Sequence, residues 1–188
     1  MGKCIYCNKK AKLFKNIFLK ILLIVIFIGN SHQIFSQQLV ENYVDEFTNN
    51  KIKRTSWTSI NNMLRFTAYF RISRINDNYY FDLKLMIGTS VFSIEKDQEL
   101  MFKLSNGEVI KLLNTQYAIT CTGCGAKGFL GSQAQGIHTS YYFTNEQIKK
   151  LKEIPAIKIR IYTSKGYVED NIKPKYYKKL QTALFLVE

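Results

Sequence analysis

Apolar and polar residues alternate over several long stretches of this chain. In LRFTAYFRI, Leu64, Phe66, Ala68, Phe70 and Ile72 fall on one face and Arg65, Thr67, Tyr69 and Arg71 on the other, the period-two pattern of a half-buried strand. The polar turn Asn76-Asp77-Asn78 leads into YYFDLKLMI, where Tyr79, Phe81, Leu83, Leu85 and Ile87 share a face. Two matched runs across a polar turn predict a long antiparallel hairpin with one wet face. Ahead of it, NYVDEFTNNKIKRTSWTSI predicts two short strands around TNNK, since Asn49 and Asn50 tolerate the positive φ angles of a tight turn.

ELMFKLSNGEVIKLL carries Asn106-Gly107, a strong hairpin signal, between two apolar segments. A two-residue turn there would set Leu104 opposite Val109 but Phe102 opposite Lys111, so a bulge or burial on both faces is expected to intervene. TSYYF predicts a further strand. TNEQIKKLKEI opens with Thr144 and Gln147 in capping-box spacing and predicts a short helix, with Ile148 and Leu151 inward and Lys149, Lys150 and Lys152 in solvent, ended by Pro155. AIKIRIYT sets Ile157, Ile159 and Ile161 against Lys158, Arg160 and Tyr162, and SKGYVED supplies a turn and a return strand. A C-terminal helix follows Pro174, with Tyr176, Leu180, Ala183, Leu184 and Val187 as its apolar stripe. The fold class is therefore mainly β or α+β. We expect an antiparallel sheet or β-sandwich of about eight to ten strands, with one short helix between strands and one at the C-terminus. Phe66, Phe70, Phe81, Leu83, Ile159 and Ile161 are expected to be buried together.

The first 36 residues break this pattern. Lys3, Lys9, Lys10, Lys12, Lys15 and Lys20 precede the apolar run ILLIVIFIG, Ile21 to Gly29, which is the layout of a secretory signal peptide. The run is about half of the roughly 20 residues a membrane-spanning helix needs, so an uncleaved anchor is the weaker reading. Cleavage is expected before Gln37, which leaves 37–188 as a single β-rich domain. No cysteine stands directly after the apolar run, where a lipoprotein would need one to carry its lipid. The predicted destination is the periplasm, the outer surface or the medium, reached by Sec export, with membrane contact only through an uncleaved leader.

A leader ending in FSQ, together with FTNEQIKKLKEIPAIKIRIYTSKGYVED, in which a capped helix precedes an IKIRI strand, resembles small uncharacterised exported proteins of Bacteroidota. The resemblance implies an exported fold. Its motif is structural and carries no catalytic residue.

The leader also changes the meaning of the charge. The full chain is +13, but the leader holds six of the lysines, leaving 21 Lys and Arg against 14 Asp and Glu, or +7. Export excludes a nucleic-acid partner, and the remaining basicity suits an anionic glycan or an envelope protein. Aromatic residues make up 14% of the chain and include the doublets Tyr79-Tyr80 and Tyr141-Tyr142. Each doublet is predicted to put one ring in the core and one outside, where a tyrosine beside lysines suits glycan or protein contact.

Of the four cysteines, Cys4 and Cys7 lie in the leader, so the mature chain keeps Cys121 and Cys124 in TCTGCG. An oxidising compartment, an even count and an intervening glycine predict a local disulfide. A zinc site from Cys121, Cys124 and His138 is the weaker alternative because no fourth ligand is fixed by spacing. Thiol-disulfide exchange, the other alternative, needs a cysteine at a helix N-terminus, and GAKGFLGSQAQG has no helical periodicity. That glycine-rich segment lacks the Gly-Lys-Ser/Thr ending of a phosphate-binding loop. It is predicted as a stapled surface loop whose candidate contact residues are Gly125, Lys127, Phe129, Gln133 and Gln135. No Gly-x-Ser-x-Gly occurs, and Asp77, Asp82, Asp97 and Asp170 are scattered singly, so neither a catalytic residue nor a cofactor is assigned. The expected function is a non-enzymatic binding or scaffolding module at the cell envelope.

Overall fold

Local backbone geometry makes the chain reverse where the sequence supplies Asn or Gly. The computed structural model describes residues 37–61, 66–124 and 135–188. The expected leader lies outside the described residues, as do Leu64 and Arg65 and the loop candidates Gly125, Lys127, Phe129 and Gln133. Strands β1 (Leu39–Val44) and β2 (Lys51–Thr55) form the first hairpin, with Asn49 at φ 56° in its turn. After the two-residue β3 (Thr58–Ser59), β4 (Thr67–Ile75) and β5 (Asn78–Met86) make the long hairpin, turning through Asn76 at φ 55°. Asn tolerates that region because its short polar side chain can bond locally.

The Asn106-Gly107 hairpin joins β7 (Glu99–Leu104) to β8 (Val109–Asn114). Its loop has three residues, not two. Gly107 adopts φ 92° and donates to the Leu104 carbonyl at 3.0 Å, while Leu104 N–H donates to the Glu108 carbonyl at 2.8 Å. A three-residue loop ending in a left-handed glycine shifts the register by one. Phe102 therefore faces Ile110 and Leu100 faces Leu112, and all four are buried.

The remaining elements are β6 (Ser93–Ile94) paired with β9 (Ala118–Ile119), β10 (Cys121–Thr122), β11 (Gln135–Phe143), helix α1 (Asn145–Glu153), β12 (Ala156–Thr163), β13 (Gly166–Asn171) and helix α2 (Pro174–Leu186). The main sheet runs β1-β2-β4-β5-β11-β8-β7-β12-β13, antiparallel at every pairing, with β3 added to β4 and β10 to β11. Among the described residues nine strands have five or more residues, and the other four have two.

Both helices cover one face of this sheet. Ile148 and Leu151 of α1, and Tyr176, Leu180, Ala183 and Leu184 of α2, join Phe70, Phe81, Phe102 and Ile159 in one buried cluster. At its centre Phe81 stacks on Phe70 at 5.4 Å and meets Phe102 and Phe143 edge-on at 5.5 and 6.2 Å. The six residues expected in the core are all buried. Thr144 caps α1 through the reciprocal bonds with Gln147 that their spacing predicts.

Two expectations fail for local reasons. Ile157 is exposed because the pairing of β12 with β7 skips a residue between Ala156 and Lys158, a bulge that turns Ile157 out of the alternation. Lys152 does not stand in solvent: its side chain is almost covered, its Nζ lies 5.1 Å from the Phe185 ring centre, and it pairs with Glu188. Among the described residues no helix is long and apolar enough to cross a membrane.

Candidate functional site

The face of the sheet that the helices leave uncovered is built by alternation. In β4, β5 and β11, every residue between two core residues points to it, and the cross-strand pairs align these residues in rows. One row reads Tyr69, Lys84, His138; the next reads Arg71, Asp82, Ser140; the third reads Ser73, Tyr80, Tyr142. The doublet Tyr141-Tyr142 divides as predicted, with Tyr141 buried and Tyr142 exposed against Tyr80, their ring centres 6.0 Å apart.

Asp82 anchors this surface. It is buried, and its carboxylate accepts from Arg71 Nε at 2.7 Å and from the hydroxyls of Ser73 and Ser140 at 2.6 Å each. A buried carboxylate is tolerable only when its lone pairs are satisfied in this way. Those three bonds fix the carboxylate, which in turn holds Arg71, whose Nη1 also reaches Glu41 at 3.6 Å.

Trp57 lies above these rows. Both β2 and β3 pair with β4, and Ser56 and Trp57 fall between them where the pairing is interrupted. From there the indole meets Lys84 Nζ at 4.2 Å and the Arg71 guanidinium at 4.8 Å from its ring centre, and it meets the His138 ring edge-on at 5.3 Å. Cations over an indole face are attracted by its quadrupole, and the contact holds two long side chains in place. Burial against the indole holds the His138 imidazole below its ordinary value, although the ring keeps an exposed edge. Asp82 opposes this, and Lys84 and Arg71 add to it. His138 is therefore neutral at neutral pH.

Cys121 and Cys124 form a disulfide. The ring is a tight turn in which Cys124 N–H donates to the Cys121 carbonyl at 3.1 Å and Gly123 takes φ 73°, which is why a glycine is needed there. Cys121 belongs to a strand paired with Gly136, two residues from His138 on β11, so the staple adjoins the Trp57 cluster. With both sulfurs joined, a zinc site on Cys121, Cys124 and His138 would first require reduction. Among the described residues no three His, Cys, Asp or Glu side chains come together as a metal site. Of the loop candidates, Gln135 is described: it sits at the loop base and donates to Thr122 Oγ1 at 3.0 Å.

A larger cleft of about 550 Å3 lies elsewhere, lined by Lys51, Lys53, Arg74, Asn76 and Asp77. Two of its three cations, Lys53 and Arg74, are engaged within the fold. Arg74 donates to the carbonyls of Asn76 and Glu188 at 2.7 Å each, and Lys53 donates to Glu188 as well.

Sequence reasoning placed Arg71 and Lys84 on the wet face but missed Trp57 as their partner. The signal was present as three basic residues, Arg71, Lys84 and His138, at polar positions of alternating strands. The missing information was which strands are neighbours. Comparison with known proteins finds no family model, no curated protein and no solved structure that matches this chain.

Proposed function

We propose that the protein is an exported, non-enzymatic binding domain of the cell envelope, and that it takes an anionic glycan on the sheet face around Trp57. One observation carries the proposal: Arg71 and Lys84 are fixed against a half-buried indole on the face no helix covers. Cations held in advance lose little conformational freedom when an anion arrives, and this favours carboxylate recognition. The basic leader followed by an apolar run, and the disulfide, support an oxidising compartment outside the cytoplasm.

Titration calorimetry with trigalacturonate, against maltotriose as the neutral control, tests the site. Binding of the acidic sugar, weakened about tenfold by Lys84→Ala and further by added salt, is the expected result. Equal binding of maltotriose, or indifference to Lys84→Ala and Trp57→Ala, would refute it. N-terminal mass spectrometry of exported protein beginning at Gln37 tests the compartment; an intact membrane-bound chain beginning at Met1 counts against it.

A further inference from the structure

A second cluster of cations occupies the opposite corner of the same face. The outward residues Met101 and Lys103 of β7, Val109 of β8, and Lys158 and Arg160 of β12 line a cleft of about 170 Å3. The Arg160 guanidinium lies 4.3 Å over the Tyr167 ring centre, which repeats the cation-on-aromatic arrangement found at Trp57. Tyr162 stands beside Tyr167 with ring centres 5.7 Å apart.

Charge on this face does not balance. Glu169 is shared by Lys158 and Arg160 at 3.0 and 2.6 Å, and Glu41 is shared by Arg54 and Arg71 at 2.6 and 3.6 Å. Lys103 is exposed and makes no ion pair among the described residues. With Asp82 also paired to Arg71, the Trp57 corner sets Arg54, Arg71 and Lys84 against two carboxylates, and the other corner sets Lys103, Lys158 and Arg160 against one.

Between the corners runs a transverse row of Tyr80, Tyr142, Leu113, Glu99, Tyr162 and Tyr167, in which Glu99 is paired with Lys111 at 3.1 Å. Tyr80 pairs with Tyr142, Tyr142 with Leu113 and Leu113 with Glu99, and Tyr162 pairs with Tyr167 at the far end. Tyr142, Leu113 and Tyr167 are 43%, 47% and 52% exposed. Lys84 and His138 lie on one side of this line, and Lys103 and Lys158 on the other. The displacement is eight residues along the strands and four strand spacings across them, which at about 3.3 Å and about 4.8 Å puts the clusters about 30 Å apart. A small anion cannot touch both.

We infer that the ligand is a linear anionic polysaccharide lying diagonally across the sheet, with one cationic cluster gripping it at each end and Tyr142 and Leu113 beneath its middle. The inference rests on the anion-binding role proposed for the Trp57 cluster. It adds a second subsite and a length requirement. Tyrosine rings give such a chain an apolar face and a hydroxyl at low conformational cost. Engagement of the second cluster by a chain already held at the first is intramolecular, so affinity must rise with ligand length.

Titration of the purified protein with trigalacturonate and with the dodecamer of the same sugar tests this. The dodecamer should bind at least about tenfold more tightly than the trimer, because the second contact is made at high effective concentration. Lys103→Glu and Arg160→Ala should each remove that gain and leave trimer affinity unchanged, with melting temperatures confirming that both variants are folded. Equal affinity for trimer and dodecamer overturns the inference while leaving the Trp57 site standing. A dodecamer that binds tightly but ignores both variants also overturns it, as does a concentration-dependent dimer of the protein that Arg160→Ala abolishes. Trimer binding that is indifferent to Lys84→Ala marks failure of the first site and so distinguishes it from failure of the second.

Discussion

The carbonyl of Cys124 lies over Gly136 where a β-carbon on that residue would have to sit. The disulfide-closed turn is thus seated on β11, and only glycine leaves room for it. Gly136→Ala should displace the turn and cost about 1 to 3 kcal/mol by overpacking, read as a lower melting temperature and faster proteolysis near Cys124. An unchanged melting temperature would mean that the turn is not seated there.

Removing the staple itself should be milder. The Cys121→Ser, Cys124→Ser double variant should stay folded, because so short a ring restricts few unfolded conformations and gives less than the roughly 3 kcal/mol of a 15-residue closure. Intact mass before and after reduction reports the bond. Two freely alkylated thiols in the native protein would count against it.

Tyr141 and Phe81 should respond in opposite ways to loss of a few atoms. Burial pushes the Tyr141 phenol well above its ordinary value, and its hydroxyl is buried without a hydrogen-bond partner among the described residues. Tyr141→Phe removes an unsatisfied polar group and should be neutral or stabilising by about 1 kcal/mol. Phe81→Ala opens a cavity among Phe70, Phe102 and Phe143 and should cost about 3 to 5 kcal/mol. Denaturant melts of the two variants give the comparison directly.

His138 links the site to pH with two opposite signs. Its folded value is depressed below the ordinary value of about 6.5, so the unfolded chain takes up the proton first as pH falls. The stability contribution is complete above about pH 6.5 and is lost as pH falls through the lower folded value. Affinity for trigalacturonate should rise over the same range, because protonation adds a cation beside Arg71 and Lys84. Melts and titrations of the protein and of His138→Asn across that window check both signs. A fall in affinity while the protein stays folded would remove His138 from the site.

Much of the fold was legible because the strands alternate strictly. Period two fixed the inward sets of β4 and β5, and the Thr144-Gln147 spacing located α1. Errors arose where one residue breaks the period. Gly107 lengthens a turn, and the bulge at Ile157 reverses a face; both depend on how the partner strand is seated, which periodicity does not encode. The candidate site was harder to read. Lys84 and His138 are paired only because β11 docks on β5, and Trp57 reaches them only through the interruption between β2 and β3. Neither follows from residue spacing along one strand.

The grip of Lys53 and Arg74 on Glu188 reaches across 135 and 114 positions of the chain, and α2 touches both β4 and β12, strands with four others between them in the sheet. A polypeptide emerging from its N-terminus first cannot make these closures until residue 188 is free. Such late closure slows folding, because the entropy of a long loop must be lost before the contact forms. Under the export proposed above, in which the chain is threaded while extended, such slowness is an advantage: the fold stays incomplete until α2 has cleared the passage.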